Sequence, residues 1–200
     1  MNTIFLDFDN TIVESNKRII ELLNCRYGLN KTEDDLSKYD YSDIVPISKD
    51  EILSLYESNE FFDNLQFKQG ALDAILKYKN QYHIIIVTRG TQVNLAKKHE
   101  WIKANISNDL DFVGIDGASI HKSMINMRDG IQIDDESTCL QTNAGVRLLY
   151  TSGNSFSWQK INPNDDIIVV HSWQELDEVL DFYSKYNYKT LDSNILNAIN

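Results

Sequence analysis

At 200 residues, 42% hydrophobic and 24% charged, the chain is long enough for one full core with a small insertion and has an ordinary globular composition. Its formal net charge of −11 argues against a nucleic-acid backbone as a major partner, yet leaves room for a small anionic substrate met by a local cation. No apolar run approaches the roughly 20 residues that span a bilayer, and the amino terminus lacks the basic region of a signal peptide.

Thr3, Ile4, Phe5 and Leu6 form a short apolar run that predicts a strand buried on both faces. It stops at Asp7-Phe8-Asp9-Asn10-Thr11. Two acids at the end of a buried strand are costly unless paired or bound to a metal, and strand carboxyl ends are where ligands bind in parallel sheets. A helical stripe follows through Ile19, Ile20, Leu22, Leu23 and Tyr27, with Ser15 or Asn16 placed to cap it and Gly28 to end it. Ser48 and Glu51 have capping-box spacing for a second helix. Residues 16–67 therefore read as a mostly helical cap inserted over the mouth of the sheet, with the core in 1–15 and 68–186.

An amphipathic helix over 70–80 leads into a strand at 82–87 that ends in Thr88-Arg89-Gly90. A helix from about Gln92 to Asn105 and a strand at 111–115 come next. Lys122 lies in the connection before a strand at 130–133, which ends in Asp134-Asp135-Glu136. Two more strands, at 146–150 and 167–170, precede a helix whose start carries the Ser172/Glu175 capping box. The alternation predicts a parallel α/β sheet of Rossmann type in three layers, covered on both faces. The tail, 187–200, is polar and receives no role. Cys25 and Cys139 have no metal spacing and make no disulfide framework, so buried free thiols in a reducing cytoplasm are expected.

Three strand ends thus carry Asp7/Asp9, Thr88/Arg89 and Asp134/Asp135, which converge on one rim if the strands are parallel. Clustered carboxylates repel, and oxygen-only ligands favour Mg²⁺, a frequent partner of phosphate. One carboxylate can attack phosphorus while the acid two residues on handles the leaving group and then water. Thr88 and Lys122 can bind the phosphoryl oxygens.

FLDFDNTIVES resembles the first motif, D-x-D-x-[TV], of the haloacid dehalogenase superfamily of phosphatases. IIIVTRG is similar to its second motif, Lys122 to its third and GIQIDDE to its fourth. The resemblance implies Asp7 as nucleophile and Asp9 as general acid/base. It implies Mg²⁺ held by Asp7, the Asp9 backbone carbonyl and Asp134, with Asp135 behind them. Within the superfamily, LYESNEFFDNLQFKQGALDAI, KKHEWIKANI and HSWQELDEVLDF resemble the 5'(3')-deoxyribonucleotidases. That likeness implies a nucleoside monophosphate substrate, a cytoplasmic enzyme and a homodimer.

Asn10-Thr11 stands where that family usually has Gly-Val, and Arg89 where it usually has Ser. Arg89 can grip phosphate or pair with an acid such as Asp135. The loop between Lys122 and Asp134 is slightly long, which leaves Lys97 and Lys98 as fallbacks, although paired helix lysines are usually a solvated face. Phe61 and Phe62, with the cap tyrosines, resemble a base-stacking pocket, of which one ring is expected to face the substrate. Trp101, Trp158 and Trp173 are expected to be packing residues. Two rivals stand beside the nucleotidase reading: a phosphatase for another small phosphomonoester such as a sugar phosphate, and a catalytically idle nucleotide-binding relative.

Overall fold

Six parallel strands lie in the order β3-β2-β1-β4-β5-β6 in the computed structural model, which describes residues 3–117, 120–153 and 155–186. They are β1 (Thr3–Leu6), β2 (His83–Gly90), β3 (Asp111–Asp116), β4 (Ile131–Asp134), β5 (Val146–Tyr150) and β6 (Ile168–Val170). The chain starts in the middle and winds outward both ways, so the order reverses between β1 and β4. In parallel sheets such a switch point, at the strand carboxyl ends, is where ligands bind.

Register places the motif residues side by side. Leu6 pairs with Ile86 on one flank and Ile133 on the other, so Asp7, Thr88 and Asp134 leave the sheet at nearly one level. Strand alternation then sorts the apolar side chains. Ile4 and Leu6 share a core with Ile84, Ile86, Ile131 and Ile133. Helices α4 (Ala71–Tyr78), α5 (Gln92–Asn105) and α6 (Trp173–Tyr186) pack into that core, which continues into the segment between β1 and α4 through Ile19, Ile20, Leu23 and Phe61. Phe5 points the other way, onto Val87, Ile115 and Met127. The layer on that side is thin, made of loops and short 3-10 turns at Lys122–Met124 and Ser137–Leu140.

Between β1 and α4 the chain forms α1 (Ser15–Tyr27), α2 (Lys49–Tyr56) and α3 (Asn59–Asp63). Gly28 ends α1 in the left-handed conformation, as its position predicts. The Ser48/Glu51 box opens α2. At the start of α1 the structure departs from expectation: neither Ser15 nor Asn16 caps it. Ser15 Oγ donates to Asp9 Oδ1 (2.6 Å), and the Asn16 backbone N–H donates to Asn10 Oδ1 (2.8 Å). Both residues serve the motif loop instead. Cys139 is buried, but Cys25 is exposed, because it lies on the outer face of α1; both are free thiols. The polar tail, 187–200, lies outside the described residues.

Candidate active site

β1 delivers Asp7 directly from the sheet, and the next residues turn back sharply. Asn10 makes that turn with φ +53°, a region Asn tolerates better than most side chains. Its amide then bonds Asn16 (3.1 Å), locking the loop against α1. Glycine is the other residue suited to such a conformation, so Asn at this position has a conformational reason.

The Asp7, Asp134 and Asp135 carboxylates converge with ligand oxygens within 4.8 Å of one another. All three residues are buried. Lys122, only 2% exposed, reaches in from its 3-10 turn and donates to Asp7 Oδ1 (2.5 Å) and Asp134 Oδ2 (2.7 Å). Burial pushes the Asp7 carboxyl up to about 7; Lys122 pulls it down, while Asp134 and Asp9 push it further up. Burial likewise raises Asp134, against the pull of Lys122, and raises Asp135 well above the usual range, with Asp7 and Asp134 adding to it. Burial works against the Lys122 ammonium, yet Asp134 and Asp7 outweigh it and hold its pKa up.

Three buried acids lie together, and the one buried lysine among them pairs with two, Asp7 and Asp134. The all-oxygen donor set and its uncompensated charge fit a hard divalent cation such as Mg²⁺. Asp135 lies in the same group of buried carboxylates as Asp7 and Asp134.

Asp9 belongs to a second group. Besides the Ser15 bond, its Oδ2 pairs with Lys98 of α5. Lys98 is 1% exposed, lies over the Phe8 ring (5.6 Å), and also donates to Thr88 Oγ1 (3.0 Å) and the Arg89 carbonyl (2.8 Å). The reading of Lys97 and Lys98 as a solvated face fails for Lys98, which is inside; Lys97 stays at the surface, where it bonds Asn59 Oδ1 (2.6 Å). Thr88 is fully buried at the end of β2 and joined to Asp9 through Lys98.

Arg89 turns to the opposite face of β2. Its guanidinium donates to the Gly117 carbonyl (3.1 Å) and lies 4.0 Å from Cys139 Sγ, with Nε buried and unpartnered. Its hydrogen bonds do not include Asp135. Phe61 is wholly buried against Tyr56 and Phe62, within the main core, and presents no surface; Phe62 is partly exposed.

Trp101 packs against Phe8 and Phe67, and Trp173 donates to the Thr11 carbonyl (2.9 Å). Trp158 does something else: its Nε1–H donates to Asp135 Oδ2 (3.3 Å). Nothing in the local sequence signals that contact, because it joins residues 23 apart across two loops.

A family model, "5' nucleotidase, deoxy (Pyrimidine), cytosolic type C protein", matches residues 1–186. The chain belongs to that family. It is thus a phosphatase of haloacid dehalogenase type, related to the deoxyribonucleotidases. A search of curated protein sequences found no match.

Solved structures agree on the fold. A haloacid dehalogenase-like family hydrolase, SP0104 from Streptococcus pneumoniae, is 19% identical with a TM-score of 0.62, covering 92% of this chain and 98% of its own. YfnB, a HAD-hydrolase from Bacillus subtilis solved with magnesium bound, is 15% identical with a TM-score of 0.60, covering 90% and 98%. CbbY from Rhodobacter sphaeroides, solved with xylulose-(1,5)bisphosphate, is 13% identical with a TM-score of 0.55, covering 88% and 96%. Among the described residues no helix is long and apolar enough to cross a membrane.

Proposed function

We propose that this nucleotidase-family chain hydrolyses nucleoside monophosphates, deoxyribonucleotides foremost, in the cytoplasm, with Mg²⁺ as cofactor. The observation that carries the reading is the division of labour between two carboxylates two residues apart. Asp7 lies in the buried acidic cluster, whereas Asp9 is held away from it by Ser15 and Lys98.

Asp7, Asp134 and Asp135, with the Asp9 backbone carbonyl that the family resemblance adds, would hold Mg²⁺, which when bound offsets their charge and that of the phosphate. The Asp7 carboxylate attacks phosphorus, forming an aspartyl-phosphate as the bond to the sugar oxygen breaks. Asp9 gives that leaving oxygen its proton, then takes one from the water that attacks the aspartyl-phosphate and frees Asp7. Lys122, Lys98 and Thr88 surround the place where the equatorial oxygens would lie, and charge-assisted donors there favour the transition state. Residues 16–67 close over the site and select the leaving group. Phe62 and the exposed Tyr39 are among the cap aromatics with surface to offer a base.

The test is phosphate release from a panel of deoxynucleotides, ribonucleotides and sugar phosphates, in Mg²⁺ and in EDTA, with Asp7→Asn as blank. Release from deoxynucleotides that both controls abolish is the expected result. Metal-dependent release from sugar phosphates alone would keep the chemistry and replace the substrate. No release from folded protein would leave a nucleotide-binding relative.

A further inference from the structure

We propose that Trp158 is a positioning residue that ties closure of the helical cap to the orientation of Asp135 in the acidic cluster. The inference rests on the metal-dependent reading above and concerns a side chain that reading does not use.

Three contacts converge on Trp158. On the site side, its indole N–H donates to Asp135 Oδ2, the one hydrogen bond that the Asp135 side chain makes among the described residues. Asp134, by contrast, is fixed by Lys122 and by the Glu136 backbone N–H (3.1 Å). One Asp135 oxygen is thus held by the indole, leaving the carboxylate a preferred direction toward Asp7 and Asp134. On the cap side, the ring meets Tyr39 edge-to-face, with centroids 5.6 Å apart and planes at 86°. The neighbouring Ser157 Oγ donates to the Ser37 carbonyl (3.0 Å). Beneath, Phe156 stacks on Trp158 at 4.4 Å and 8°, and Ser137 Oγ donates to the Trp158 carbonyl (2.9 Å).

The indole is therefore anchored from its own loop and from the turn that follows Asp135. Tyr39, at 60% exposure, buries little area in meeting it. A contact that small forms and breaks with modest free energy, as a moving cap requires, while the N–H bond passes its state to a metal-binding group. Ligand-orienting partners of this kind typically alter metal affinity by about 10–100-fold. A residue serving only to pack would act through ring volume, and the N–H would be idle.

The experiment uses the full chain stripped of metal with EDTA, titrated calorimetrically with Mg²⁺ alone. Trp158→Phe keeps the stacked ring and removes the N–H; it should weaken Mg²⁺ binding about 10-fold or more while its Tm stays near wild type. Tyr39→Ala keeps the N–H and loosens the cap contact, and should weaken binding in the same direction by less. Asp135→Asn combined with Trp158→Phe should bind no worse than Asp135→Asn alone, since the two act through one bond. Reciprocally, Mg²⁺ should slow backbone hydrogen exchange at residues 37–41 in wild type and fail to do so in Trp158→Phe.

Unchanged Mg²⁺ affinity in folded Trp158→Phe, or losses that add fully with Asp135→Asn, would overturn the inference and leave the proposed function standing. Should Trp158→Phe not fold, Tyr39→Ala decides: wild-type affinity and wild-type exchange protection there would refute the coupling. Absence of Mg²⁺ binding in the wild type would remove both readings together.

Discussion

Lys98 shows how far one side chain's meaning depends on what stands across from it. Its ammonium is enclosed by Asp9, Thr88 and the Arg89 carbonyl, so replacing it leaves the partly buried Asp9 carboxylate without its cation. Lys98→Met should lower kcat for phosphate release by about 10²-fold or more, with the protein still folded by circular dichroism. Lys122→Met should be as damaging to activity and worse for stability, since it removes the cation between Asp7 and Asp134. Asp7 and Asp9 were legible in the sequence because their signal is local, two acids ending an apolar strand. Lys98 was legible only as a fallback, since nothing in its helix separates it from Lys97 until α5 is laid against β2. Asn10 offers a cleaner test of backbone reasoning. Asn10→Gly keeps the φ +53° turn but loses the bonds to Asn16, whereas Asn10→Val loses both and should cost at least about 1 kcal/mol more by thermal denaturation.

At the scale of elements, α5 is joined to the end of α2 and the start of α3 by a row of polar contacts. Thr91 caps α5 by accepting the Asn94 N–H (3.3 Å), and its hydroxyl donates to Glu57 at the end of α2. The Asn94 amide donates to the Tyr56 carbonyl (2.7 Å), and Lys97 reaches Asn59. Thr91→Val removes a helix cap and a cap-to-core bond at once. It should lower stability by about 1 kcal/mol and shift KM more than kcat, read by denaturant melts and steady-state kinetics. Strand and helix positions were readable from periodicity, and the Ser48/Glu51 box from its spacing. The opening of α1 was not, because Ser15 and Asn16 are good caps whose side chains are claimed by the Asp9 carboxylate and the Asn10 amide across the loop. The thin layer of 3-10 turns was also hidden, since such short turns bury few side chains and leave no period.

For the molecule as a whole, the acidic cluster sets conditions on stability. An ordinary aspartate ionises near 3.8, whereas Asp7 in the metal-free fold does so near 7. Between those values the folded chain keeps a proton that the unfolded chain has lost, so stability falls as pH rises across that window. In EDTA, the denaturation midpoint should therefore drop between about pH 4 and pH 7 through this residue, and Asp7→Asn should flatten that slope. Saturating Mg²⁺ should raise the wild-type Tm and do much less for Asp7→Asn, because binding to the folded form alone stabilises it by mass action.

The central place of β1 has a consequence for how the protein comes to exist. Thr3 pairs with His83, and Ile4 pairs with Ile131, so β1 gains its second neighbour only after β2, β3 and the segment up to β4 have been made. A growing polypeptide must carry that sticky segment, half satisfied at best, until β4 has left the ribosome. Chains stopped short of residue 134 should accordingly be recovered as aggregates, and refolding should be slow relative to a helical bundle of equal size. The step that finally zips β4 onto β1 also brings Asp134 beside Asp7. The acidic cluster and the pairing at the centre of the sheet therefore arrive in the same event.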